Sequence, residues 1–201
     1  MLPKLIDRNP NLVGLNVTIP YKQQVLQYLR SVDSVADRIG AVNTIRIVRG
    51  SLHGYNSDAY GFRKSLIEFM GSSYQGKALV LGTGGASQAV IYVLDEMGIH
   101  VTMVSRFKKK GTISYEEVTP ELISSHHLII NATPLGMKPN VETSPKLPYF
   151  SITSSHYLYD LIYNPDETVF LEKGRFQGAK TTNGMAMLIL QAEQSWAIWN
   201  R

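Results

Sequence analysis

The chain of 201 residues has no cysteine, so neither a disulfide nor a thiolate metal site can form, a pattern that fits a reducing compartment. No apolar run approaches the roughly 18 residues needed to span a membrane. The opening M-L-P-K-L-I-D-R is too short and too charged for a signal peptide, so the cytoplasm is the expected setting. Charge is sparse as well: 18% of residues are charged and the net charge is +4. Arg106, Lys108, Lys109 and Lys110 crowd into one stretch, so a local anion site accounts for the excess better than a nucleic-acid surface, although a solvated loop reads the same way. None of the five histidines falls in a motif. His126 and His127 are adjacent and would point apart in an extended chain, and no His/carboxylate spacing suggests a metal site; no metal is expected. Internal repeats and low-complexity segments are absent.

What is present is an ordinary globular composition, 44% hydrophobic, in a length that accommodates two small domains. The strongest local signal is A-L-V-L-G-T-G-G-A-S at 78–87. An apolar run breaking into Gly82, Thr83, Gly84, Gly85 and Ala86 reads as a buried parallel strand turning into a helix, where a dinucleotide pyrophosphate can approach bare backbone. Ser87 stands where a third small residue is usual, and such turns also occur with nothing bound. The turn alone leaves both possibilities open.

Around it the pattern predicts an α/β chain. A strand is expected over 12–19, ending at Pro20 and feeding a helix from near Tyr21 with Lys22 in its first turn. A short helix over 34–39 and a hairpin of 41–48 with 52–56, turning at Gly50, follow. The next helix runs from Asp58, with Phe62, Leu66 and Phe69 at helical spacing, to Gly71; the polar 71–76 reads as a domain boundary. Then come a strand at 78–81, a helix at 87–97, a strand at 101–105, and further strands at 128–133 and 157–163 that each end in a Pro-containing loop. This is the pattern of a doubly wound parallel sheet. From Gly184 to Trp199, Met187, Leu188, Gln191, Ala192 and Ser195 mark a long closing helix. The division expected is 1–72 with 184–201 as a substrate domain and 73–183 as a nucleotide domain.

Three polar groups stand at the ends of N-terminal apolar elements: Lys22, Asn43 and Asp58. Hydride transfer to a ketone leaves an alkoxide that needs a proton, and a lysine beside a carboxylate suits that task. By spacing alone Lys22 reads more readily as a solvated lysine and Asp58 as a helix N-cap.

The segments G-L-N-V-T-I-P-Y-K (14–22), G-A-V-N-T (40–44), Y-N-S-D-A-Y-G-F (55–62), G-T-G-G-A-S (82–87), N-A-T-P-L-G-M (131–137), Y-D-L-I-Y-N-P (159–165) and T-N-G-M-A-M-L-I-L-Q-A (182–192) change that balance. In this order, they resemble the shikimate dehydrogenase family over nearly the whole chain. The resemblance implies a Rossmann-type domain beside a smaller substrate domain completed by the C-terminal helix. It implies Lys22 and Asp58 as the catalytic pair, and Thr18, Asn43, Asp58, Tyr163 and Gln191 as groups holding the hydroxyls of a cyclohexene acid. Leu161 and Gly184 would line the nicotinamide side, with Asn131, Thr133 and Met137 in a loop near the cofactor, Met137 also being open to a packing role. The implied reaction is the reversible reduction of 3-dehydroshikimate to shikimate, a step of aromatic amino-acid biosynthesis; quinate or another cyclohexene acid is an alternative substrate.

The cofactor's phosphate can be argued from the residues themselves. Where an NAD site tends to carry an acidic residue at the end of the second strand, this chain has Ser105 and Arg106. Arginine offers planar paired donors to a 2′-phosphate and Lys108, Lys109 and Lys110 add charge beside it, so NADP is expected over NAD. Members of the family begin with a strand, a helix and an S-x-S motif for the substrate carboxylate, and only 13 residues precede Gly14. The expectation is a chain lacking that segment, with weakened substrate binding and exposed strand edges, or an inactive NADP-binding fragment.

Overall fold

The computed structural model describes residues 2–18 and 20–201. Helix α1 (Leu2–Asp7) leads into a four-stranded sheet of β1 (Gly14–Asn16), β2 (Ser31–Val32), β3 (Thr44–Val48) and β4 (Ser51–Tyr55), in the order β1-β3-β4-β2. The expected strand over 12–19 is thus only three residues long, and its last expected residue, Ile19, lies outside the described residues. The helix expected from Tyr21 is a five-residue 3₁₀ turn, Gln24–Tyr28. Lys22 therefore precedes the helical residues and does not sit in a first turn.

The hairpin forms as patterned. Arg49 and Gly50 both take positive φ, 49° and 75°, which matches the twist of the two flanking strands. Helix α2 (Ser34–Ile39) starts where the Asp33 side chain accepts from the Val35 amide at 3.1 Å. Helix α3 (Ser57–Met70) starts in the same way, with Asn56 accepting from the Ala59 amide at 3.1 Å. Its buried stripe includes Ala59, Phe62 and Leu66.

The second sheet holds β5 (Lys77–Leu81), β6 (His100–Val104), β7 (Thr112–Ile113), β8 (Leu128–Asn131), β9 (Tyr157–Asp160) and β10 (Lys180–Thr182). All neighbours are parallel, in the order β10-β9-β8-β5-β6-β7. Helices α4 (Gly85–Glu96), α5 (Pro120–Ser125), α6 (Val169–Phe176) and α7 (Met185–Trp199) complete the chain. Alternate strand residues face opposite cores, as a sheet covered on both sides requires. Ala78, Val80, Leu128 and Ile130 pack with Phe62, Leu66, Val90 and Leu94. Leu79, Leu81 and Ile129 pack with Ile123, Phe170 and Leu171. The chain runs outward from β5 through β6 and β7, then returns to start β8 on β5's other side. That switch opens a crevice at the carboxyl ends of β5 and β8, beside Gly82 and Asn131.

Helix α7 joins α3 to the first sheet. It packs along α3 and reaches the first sheet, where the Trp199 indole donates to the Ile45 carbonyl at 3.0 Å. The crossing with α3 is close: a Cβ on Gly61 would lie 2.7 Å from the Met187 carbonyl oxygen.

Candidate active site

Two clefts of about 320 Å³ each open side by side on the carboxyl-end face. In one, Lys22 Nζ donates to Asp58 Oδ2 at 2.7 Å, with side-chain exposures of 15% and 13%. Asp58 belongs to the first turn of α3, where the helix dipole favours a carboxylate, and its charge holds the lysine in place. The pair is half-buried, so it is screened less than a surface ion pair and still open to a ligand.

Asn16, Thr18, Asn43, Leu161, Tyr163, Gly184 and Gln191 line the same cleft as that pair. The residues singled out for substrate contact thus lie together, although they are spread from 18 to 191 in the sequence. Asn43 is the most constrained of them: its Oδ1 accepts from the Ser57 amide at 2.7 Å and its Nδ2 donates to Ser57 Oγ at 3.0 Å. One amide hydrogen remains for a ligand. Beneath it lies a buried hydroxyl network that sequence patterning missed. Thr44 Oγ1 bonds Ser195 Oγ at 2.8 Å, Ser57 Oγ bonds Ser195 Oγ at 2.9 Å, and Ser57 Oγ donates to Gln191 Oε1 at 3.3 Å. This ties β3, α3 and α7 into one support, and no local motif announces it.

The other cleft brings together Gly82, Thr83, Gly84, Ser105, Arg106 and Thr133. Phe107, Tyr115, Pro134 and Leu135 join them without having been singled out as cofactor residues, and Lys109 of the basic stretch lines it too. Arg106 is exposed and takes no hydrogen bond or ion pair among the described residues, so its guanidinium is available to an anion. Tyr115 lines the cleft, and its buried hydroxyl has no partner among those residues; burial pushes its pKa up to about 12 against the nearby Arg106 charge. Three expected members, Gly85, Lys108 and Asn131, line neither cleft. Lys108 turns to Glu117 at 2.7 Å, and Lys109 takes its place on the wall. Asn131 is fully buried, its amide spent on Thr133, Leu135 and Asp160.

Between the clefts stands the N-terminus of α4. It has no side-chain cap, and a Cβ on Gly84 or Gly85 would meet nothing within 4 Å. Uncapped amides at a helix start in open space suit a phosphate. Gly84 belongs to one cleft and Ala86 to the other, so a dinucleotide crossing the helix end would have its adenosine half at Arg106 and its far half beside Leu161 and Gly184. Those residues therefore fit a dinucleotide with a phosphate on its adenosine ribose.

Among the described residues no three ligating side chains come together for a metal. His126 and His156 are buried, bonded to the Leu122 and Ile123 carbonyls at 2.8 and 3.1 Å, and burial lowers the pKa of both. No described helix is long and apolar enough to cross a membrane.

Comparison with known proteins gives consistent matches. Residues 3–45 match the family model described as the shikimate dehydrogenase substrate binding domain. The chain is 38% identical over 203 residues to the shikimate dehydrogenase (NADP(+)) of Methanococcus maripaludis, covering 94% of this chain and 73% of that protein. Among solved structures, a chorismate mutase/shikimate 5-dehydrogenase fusion protein from Clostridium acetobutylicum matches with a TM-score of 0.88 and 38% identity, over 99% of this chain and 75% of that one. The shikimate 5-dehydrogenase of Thermus thermophilus, in complex with NADP(H) and shikimate, matches with a TM-score of 0.85 and 33% identity, over 98% of this chain and 77% of that one.

Proposed function

The chain belongs to the shikimate dehydrogenase family, and from that premise we propose that it interconverts 3-dehydroshikimate and shikimate with NADP as cofactor. The observation that carries this reading is the Lys22–Asp58 pair, set in one cleft with Thr18, Asn43, Tyr163 and Gln191, next to the open glycine turn of α4. Hydroxyl and amide groups on that wall match a polyol, and a site built to bond hydroxyls rejects analogues that leave its groups unpaired.

Bound NADPH supplies the hydride to the substrate's carbonyl carbon. Lys22 Nζ gives the carbonyl oxygen its proton, so the carbonyl becomes an alcohol, and Asp58 keeps the ammonium directed at that oxygen. Lys22 then regains a proton from solvent, and in the reverse direction it accepts the hydroxyl proton. At the other end Arg106, with Lys109 beside it, would meet the 2′-phosphate with paired charged donors.

The test is to purify the chain and follow NADPH formation with shikimate, running quinate and NAD+ in parallel. Shikimate-dependent reduction of NADP+ in preference to NAD+ is expected. Turnover of quinate without shikimate, a preference for NAD+, or no shikimate-dependent reduction would overturn the assignment.

A further inference from the structure

At the carboxyl end of β9, the Asp160 side chain is wholly buried. Its Oδ1 accepts from Asn131 Nδ2 at 3.1 Å and from the Ile162 amide at 3.0 Å, and its Oδ2 accepts from Thr168 Oγ1 at 2.6 Å. All three partners are neutral, so an ion in this position is expensive for folding alone.

Each partner leads to a ligand wall. Through Asn131, the bonds run on to Thr133, whose amide and hydroxyl donate to Asn131 Oδ1 at 3.1 and 2.6 Å, and to the Leu135 carbonyl at 3.2 Å. Thr133 and Leu135 line the cleft that holds Arg106. Through Ile162, they run between Leu161 and Tyr163, and the Ile162 carbonyl accepts from the Gly184 amide at 3.0 Å. Leu161, Tyr163 and Gly184 line the cleft that holds Lys22.

We infer that Asp160 is a positioning residue that sets the loop 131–135 and the segment 161–163 in register, one on each cleft, through a single buried carboxylate. This rests on reading the two clefts as cofactor and substrate sites. The carboxyl titrates within reach of neutral pH: burial pushes it up to about 6 against the pull of its three hydrogen bonds. Groups facing it from the surrounding elements are Asn131 on β8, Thr168 at the start of α6, and the Tyr149 phenol, whose own pKa is raised by burial and by Asp160's charge. None of these brings a cation to it. Protonation turns one acceptor oxygen into a donor, which disturbs the donors from both walls at once.

The test begins with the unaltered chain, isotope-labelled, titrated by NMR from about pH 8 to about pH 5. The amides of Thr133, Leu135 and Ile162 are expected to shift together with one midpoint near that of the carboxyl. Asp160→Asn is expected to abolish the shared transition while unfolding cooperatively. By calorimetry, that variant is expected to bind NADP+ about fivefold more weakly than the unaltered chain at neutral pH, and the ratio between the two is expected to approach one in acid. Taking the ratio cancels the ligand's own phosphate titration. Amides that titrate separately, or a variant binding NADP+ as well as the parent at neutral pH, would overturn the inference. An unaltered chain that binds no NADP+ would overturn the cofactor reading, while the ligand-free amide titration still decides the role of Asp160.

Discussion

Lys22 and Asp58 are 36 residues apart and meet at 2.7 Å, which makes the lysine's position depend on the carboxylate. Lys22→Ala is therefore expected to lower turnover by about 10²- to 10⁴-fold with NADP+ affinity unchanged, measured by steady-state kinetics alongside calorimetry. Unchanged turnover would remove Lys22 from the chemistry. Arg106→Ser removes the charged fork and is expected to weaken NADP+ binding about tenfold or more, with NAD+ binding held within about twofold. Equal losses for both dinucleotides would place Arg106 away from the ribose phosphate. Its place at a strand end made Arg106 visible in the sequence, whereas Lys22 and Asp58 stood out through the ordered motifs at 14–22 and 55–62. Asp160, Ser57 and Ser195 were not singled out for the site, because their value lies in partners that only packing supplies.

Two glycines make opposite demands on their elements. Gly84, at the start of α4, has φ −81° and open space where a Cβ would go, so Gly84→Ala is expected to leave stability within about 0.5 kcal/mol. The same methyl would fill the space offered to a pyrophosphate, so NADP+ affinity is expected to fall about tenfold or more. Calorimetry beside urea denaturation separates the two effects; a loss of stability without a loss of affinity would refute the phosphate site. Gly61, inside α3, is closed in by α7: a Cβ would lie 2.7 Å from the Met187 carbonyl oxygen and 3.0 Å from Gln191 Cβ. Overpacking of about 1–3 kcal/mol exceeds the roughly 1 kcal/mol of helix propensity that alanine adds, so Gly61→Ala is expected to destabilise, read as a lower urea midpoint. α3 and α7 were legible as elements from apolar spacing, whereas their close crossing was not. The shortest strands were missed outright: β2 and β7 have two residues each, too few for a period to register.

At the scale of the molecule, buried titratable groups pull stability in opposite directions with pH. Asp160 has a folded value of about 6, above its ordinary 3.8, so the stability its proton contributes is full below that ordinary value and is lost as pH rises through about 6. His126 and His156 are lowered from 6.5, so the stability they contribute is present above that value and lost as pH falls through their folded values. The two histidines and the carboxyl therefore oppose one another on acidification, and Asp160→Asn, which removes the stabilising partner, is expected to make the urea midpoint fall more steeply with acid than it does in the unaltered chain. A variant with a shallower fall would refute the sign. Local pattern alone carries the α/β order, the parallel strand-turn-helix around Gly82 and the residue types of the proposed site, since buried parallel strands are continuous apolar runs and phosphate turns need bare backbone. Long-range packing sets the rest: Lys22 precedes a 3₁₀ turn, Lys109 and not Lys108 faces the cleft, Asn131 supports the loop from below, and one buried carboxylate bonds groups that lead to both clefts. Periodicity fixes what each segment becomes; which side chains then meet is set by long-range packing, and no local pattern encodes it.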